Sequence, residues 1–127
     1  MTAIIVTAAV IERDGCFLVT RRQKGVHLEG YWEFPGGKYD AGESLAACLA
    51  RELREELDVD ARVGVEVFTT THIYPERRVE LHFLQCELEG EPRPLIGQEM
   101  RWVPRAELGS FEFPPADAKL IEILRTA

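Results

Sequence analysis

The sequence predicts an α/β domain in which helices are layered against a mixed β-sheet. Short runs of β-branched or alternating apolar residues outnumber helical runs. They are joined by both hairpin turns and longer crossovers, as in a sheet with parallel and antiparallel pairs. One segment, 45–57, sets Leu45, Leu49, Leu53 and Leu57 in an i+4 ladder with Ala46 and Ala50 beside it, which is a helix with one apolar stripe. A second, shorter helix closes the chain, opened by Pro114 and Pro115 and packed by Leu120, Ile121 and Leu124.

The elements follow in order. Residues 3–11, AIIVTAAVI, form a continuous β-branched-rich run, expected of a strand buried on both faces. RDG at 13–15 turns the chain, and CFLVTR at 16–21 returns as its hairpin partner. RQKGVHLEGYW reads as loop. EFPGGKYDAGES, punctuated by Pro35, Gly36, Gly37 and Gly42, reads as a shaped loop and not a strand. Ser44 is placed to cap the long helix. Val63, Val65 and Val67 alternate in a strand over about 62–72, YPERR forms a hairpin tip, VELHFLQCEL returns, and RWVP at 101–104 adds a late strand.

Length and composition bound the function. A chain of 127 residues is expected to form one domain over 1–127, with 46% apolar and 29% charged residues typical of a globular protein. No run approaches the 18 or so apolar residues of a membrane-spanning helix. The N-terminal run leads straight into charged turn residues, so it reads as a first strand and not a leader. Cys16, Cys48 and Cys86 are scattered without a CxxC pair, which suits thiols in a reducing, cytoplasmic setting better than disulfides or zinc. The net charge of −7 argues against a nucleic-acid polymer as partner. A small polyphosphate would need a bound cation and local arginines. Monomer and homodimer both stay open.

The chemistry gathers on the long helix. Glu52, Glu55 and Glu56 share one helix face, and the Glu52/Glu56 pair at i,i+4 costs a few tenths of a kcal/mol by like-charge repulsion. Helical projection sets Glu52 and Glu56 at the border of the apolar stripe, and neither has a Lys or Arg four residues on to pair with. A solvated face is one reading. A hard divalent cation, held by carboxylates and substrate phosphates, is the other and resolves the repulsion. Gly36 and Gly37 permit unusual dihedrals that would turn a carbonyl toward such a metal. Arg51, eight residues after Glu43, would pin the preceding loop to the helix, or pair with Glu55.

This spacing resembles the Nudix box, GX5EX7REUXEEXGU, matched at Gly37, Glu43, Arg51, Glu52, Leu53, Glu55, Glu56 and Val59. The family's glycine is Asp58 here, a residue that tolerates the left-handed turn better than most. VTRR (19–22), WEFPGGK (32–38), YPERRVELHFL (74–84) and FPPAD (113–117) extend the resemblance to the MutT-like branch. The resemblance implies an α/β/α sandwich and a Mg²⁺-dependent hydrolase, with Mn²⁺ as substitute, that cleaves nucleoside triphosphates to a monophosphate and pyrophosphate.

It also implies residue roles. Glu52, Glu55 and Glu56 would be metal ligands together with the Gly36 carbonyl and a fourth carboxylate, for which Glu99 is the candidate. Glu52 would also be a candidate base, although the residues leave Glu52, Glu55, Glu56 and Glu99 open for that task. Arg51 and Glu43 would form the orienting pair, and Arg22 would contact phosphate. From the residues alone, Lys38, Arg77 and Arg78 are further positive groups that could hold the phosphates. Arg77 and Arg78 equally suit a solvated hairpin tip, and Arg77 is also a candidate to bind the base. Trp32 or Phe34, Tyr74 and Phe83 are candidates to stack a base, each also suited to the core. Asp117 would read the base edge, where Asn stands in 8-oxo-dGTP hydrolases. An ionised Asp takes only N–H donors, whereas a protonated one suits cytosine, as in the CTP and 5-methyl-dCTP branch. Two other readings are a hydrolase of another nucleoside diphosphate derivative, such as ADP-ribose, and a non-catalytic binding module. The second is disfavoured by the complete set of charged box residues.

Overall fold

The computed structural model describes residues 3–126. Strand β1 (Ala3–Val10) is central to a four-stranded mixed sheet of order β5-β1-β7-β6, with β5 at Gly36–Lys38, β6 at Asp60–Tyr74 and β7 at Arg77–Glu89. β1 and β7 run parallel, and the other two pairings are antiparallel. A second, antiparallel sheet is centred on β3 (Cys16–Arg21), which pairs with β2 (Glu12–Arg13), β4 (Trp32–Glu33) and β8 (Met100–Pro104). The helices are α1 (Leu45–Leu57) and α2 (Ala118–Thr126).

Alternation along β1 explains the layers. Ala8 and Val10 belong to a core shared with Phe83, Leu120 and Ile121, on the α2 side. Ala9 and Ile11 belong to one shared with Leu49, Leu53 and Leu57, on the α1 side. The expected burial on both faces holds for that half of the strand, and the architecture is the α/β/α sandwich. The first half of β1 is only half-buried, because Ile4 and Val6 line an open cavity. Burying each α1 leucine contributes about 1.5–3 kcal/mol.

Helix α1 has the expected limits. Ser44 accepts from the Ala47 N–H at 3.0 Å. Asp58 closes the helix in the left-handed region (φ 51°), its N–H donating to the Arg54 carbonyl and its carboxylate paired with Arg93 at 2.6 Å. That pair is exposed and worth little. Asp58→Gly is therefore expected to stabilise the protein by roughly 0.5–1 kcal/mol, read as a higher urea midpoint.

The glycine-rich segment departs from the expectation. It contains two short strands, β4 and β5, and neither Gly36 nor Gly37 has positive φ. The reason for glycine there is space, not dihedral freedom. A Cβ on Gly36 would lie 2.0 Å from the Thr7 carbonyl oxygen, and one on Gly37 would lie 2.3 Å from the Glu52 carboxyl carbon. The strand expected over about 62–72 lies within β6, but its three valines do not share one environment. Register shifts around Glu66 leave Val65 and Val67 exposed, while Val63 packs on the α1-side core.

Beside that bulge, the His82 ring contacts Glu66 at 2.7 Å and Glu80 at 2.8 Å. Burial alone would lower its pKa, but the hydrogen bonds and charges of Glu80 and Glu66 outweigh it and raise it. The stability this contributes is complete below the unfolded-state value near 6.5 and is lost as pH rises through the folded-state value. Urea unfolding at pH 6 and pH 8.5 should show this loss in the wild type, and His82→Gln should flatten it. The thiols are free, with Cys48 and Cys86 buried as expected of small core residues.

Candidate active site

The cavity that opens beside the first half of β1 has a volume of about 340 Å³. Its floor is the apolar sheet face of Ile4, Val6, Val79, Leu81 and Phe83. The pleat sends alternate residues of β7 to this face. Arg77 therefore lines the cavity, and Arg78 does not. Gly36, Gly37, Lys38, Glu56 and Gln98 also line it, as do Phe34, Tyr74, Asp117, Arg22 and His27. So does Glu33, whose charge acts on both Glu56 and Asp117.

Arg51 organises the carboxylates of α1. It holds Glu43 at 2.7 Å through Nη2, and Glu52 at 3.0 Å and Glu55 at 2.9 Å through Nη1. The loop-to-helix pairing and the Glu55 pairing thus coexist. The hydrogen bond from Arg51 is the main reason the Glu43 carboxyl titrates below its ordinary range. Glu52 lies against the Gly37 backbone. Burial raises its pKa, against the pull of Arg51. Glu56 has no such cation. Burial first, then the charges of Glu52 and Glu33, push it up to about 7. Glu55 is exposed and lies outside the cavity.

The donor set fits a hard divalent ion: carboxylate and carbonyl oxygens, with crowded negative charge that a cation would relieve. Glu52, Glu56 and the Gly36–Gly37 backbone are the groups that could hold it, with Glu55 beside them. Among the described residues no three His, Cys, Asp or Glu side chains stand as a ready-made cage. Arg51 occupies two of the three glutamates.

The remaining predicted residues separate clearly. Arg22 lines the cavity and donates to Glu33 at 2.8 Å. Lys38 lines it too. Glu99 lies outside the lining and pairs with Arg21 at 3.0 Å and Arg101 at 3.8 Å. Trp32 is core: it packs edge-on against Phe111, and both Arg21 and Arg101 lie over its ring. Phe34 lines the cavity, stacked on Phe113 at 5.4 Å. Tyr74 meets His27 edge-on at 4.9 Å.

Asp117 is buried, and burial followed by the charge of Glu33 pushes its pKa to about 7. It stands in a 3₁₀ turn at Pro115–Asp117, before α2. Of the lining residues that were not among the sequence candidates, Glu33, His27 and Gln98 bear most directly on the site. Glu33 is held there by the pairing of Thr20 with Glu33 between β3 and β4, and burial raises its pKa against the opposing Arg22. His27 sits on the loop that Arg22 fastens. Gln98 donates to the Glu56 carbonyl at 3.2 Å, so the loop before β8 holds the C-terminal end of α1.

Comparison with known proteins supplies the family. The family model described as NUDIX domain matches residues 6–123. The chain belongs to the Nudix family. A CTP pyrophosphohydrolase of Escherichia coli K12 is 37% identical over 123 residues, covering 96% of this chain and 91% of that protein. An 8-oxo-dGTP diphosphatase of Haemophilus influenzae is 40% identical over 124 residues, covering 95% and 90%. Among solved structures, the E. coli ORF135 protein superposes with a TM-score of 0.84 at 36% identity, covering 96% of this chain and 88% of that one. The MutT protein of Methanosarcina mazei gives 0.86 at 25% identity, covering 98% and 94%. This Nudix chain is thus similar along nearly its whole length to nucleotide pyrophosphohydrolases. Members of the family require a divalent metal. Among the described residues no helix is long and apolar enough to cross a membrane.

Proposed function

We propose that this Nudix protein is a Mg²⁺-dependent nucleoside triphosphate pyrophosphohydrolase, with Mn²⁺ as a substitute, releasing a monophosphate and pyrophosphate. The observation that carries this is the Glu52 carboxyl set against the Gly37 backbone, beside a cavity lined by Gly36, Gly37, Glu56 and Asp117 together. When bound, the metal supplies charge neutralisation on phosphate oxygens and a lowered water pKa. The chain's own groups do the rest. Arg22, Lys38 and Arg77 face the phosphates. Glu56 and Glu52 hold their negative charge against the reacting end, and either can accept the proton of the attacking water. Arg51 and Glu43 fix the loop against α1.

Asp117 and Glu33 supply the base-reading edge, with Phe34 and Tyr74 beside the ring. With a pKa near 7, Asp117 exists in both protonation states at neutral pH. Protonated, it donates to N3 of cytosine while accepting from the N4 amino group. Ionised, it accepts from N1–H and N2–H of a guanine-like edge. The first match favours CTP, dCTP and 5-methyl-dCTP, and the second oxidised dGTP. Steady-state hydrolysis of these, of dGTP, dATP and ADP-ribose, tests the reading. A cytosine or 8-oxo-guanine triphosphate should rank first, and activity confined to ADP-ribose would discard it.

A further inference from the structure

Thr7 is the one polar side chain in β1, and it is fully buried. A valine would fill the same space with no hydroxyl to satisfy, and a buried hydroxyl costs free energy unless it is bonded. One of its partners lies in β5, which lines the cavity together with Glu56, and the other lies on α1. Thr7 Oγ1 donates to the Gly37 carbonyl at 3.3 Å and contacts Cys48 Sγ at 3.5 Å. Cys48, buried on α1, donates to the Lys38 carbonyl at 3.4 Å. Arg51 Nη2 reaches the same Lys38 carbonyl at 3.4 Å.

These contacts tie β1, β5 and α1 together at one place. β5 has no slack there. The Thr7 backbone closes one side at Gly36, and the Glu52 carboxyl closes the other at Gly37. Any small shift of β5 therefore changes how the Gly36–Gly37 carbonyls stand relative to Glu52. We propose that Thr7 and Cys48 are positioning residues for the metal end of the site, their hydroxyl and thiol fixing the β5 carbonyls against the α1 carboxylates. This rests on the metal reading of the preceding section. Neither residue touches the metal or the nucleotide in this account; they act on the backbone that does, as groups behind metal ligands do elsewhere.

The test is a titration of Mn²⁺ into the nucleotide-free protein, with free Mn²⁺ read by its EPR signal. Thr7→Val keeps the shape and removes the hydroxyl, and Thr7→Ser restores it. Removing partners of this kind typically weakens metal binding 10- to 100-fold, so Thr7→Val should weaken Mn²⁺ roughly tenfold, with Thr7→Ser near the wild type. Mg²⁺ for half-maximal hydrolysis should rise in parallel, with nucleotide KM little changed. Cys48→Ala tests the thiol arm independently and should weaken Mn²⁺ binding severalfold, whether or not the Thr7 variant folds. Mn²⁺ affinity within twofold of wild type in Thr7→Val and Cys48→Ala would overturn the proposal, and so would Thr7→Ser as weak as Thr7→Val. Failure of the wild type itself to bind Mn²⁺ or hydrolyse any triphosphate would instead overturn the metal reading beneath it.

Discussion

Glu56→Gln should abolish triphosphate hydrolysis while leaving the protein folded. Gln keeps the shape and one carbonyl oxygen but removes the charge that a divalent ion and its water need. Charge stabilisation of several kcal/mol corresponds to about three powers of ten in kcat. The stability readout separates this from damage to the fold. Burial and the charges of Glu52 and Glu33 hold the Glu56 pKa near 7, above its unfolded value. Ionised Glu56 therefore destabilises the metal-free protein once pH exceeds the unfolded value, and increasingly as pH rises toward 7. The Gln variant should melt at a higher temperature than the wild type at pH 8, and the difference should vanish near pH 4. An active Glu56→Gln protein would remove the carboxylate face of α1 from the reaction.

Asp117→Asn should move substrate preference from cytosine triphosphates toward 8-oxo-dGTP. Asn can accept from N7–H and donate to O6 of the oxidised purine at every pH, which ionised Asp117 cannot. Its amide still offers cytosine an N–H for N3 and a C=O for the N4 amino group, so the shift comes from the gain on the purine. Exchange of one or two hydrogen bonds of about 1.5–3 kcal/mol corresponds to roughly a 10- to 100-fold change in the ratio of kcat/KM values. The wild type adds a pH signature. Asp117 is protonated below about 7, so the cytosine-to-oxoguanine ratio should fall as pH rises through that value. In the Asn variant the ratio should be flat. An unchanged ranking would take Asp117 out of the base site.

The helix, its caps and its ion pairing were legible in the sequence because they depend on fixed spacing along one element. The leucine ladder, the Ser44 cap, the left-handed Asp58 and the Glu43–Arg51 pairing all follow from offsets within 43–58. Features that depend on contact between distant segments were not. Gly36 and Gly37 read as allowing unusual dihedrals and a close backbone approach; the dihedrals are ordinary, and the missing side chains make room for the Thr7 backbone and the Glu52 carboxyl. The alternating valines pointed to the β6 strand but not to the bulge at Glu66, which depends on its pairing with β7. Glu99 was the fourth carboxylate that the resemblance suggested, yet it pairs with Arg21 and Arg101 outside the cavity, and Glu33 faces the cavity because β4 pairs with β3. No local pattern distinguishes those two glutamates.

The most direct test of the central claim is ³¹P NMR of the turnover of CTP and of 8-oxo-dGTP by the wild type, with Mg²⁺ and again with excess EDTA. The account predicts monophosphate and pyrophosphate in equal amounts with Mg²⁺, and no product with EDTA. Release of diphosphate and orthophosphate, undiminished turnover in EDTA, or no hydrolysis of either triphosphate would contradict it.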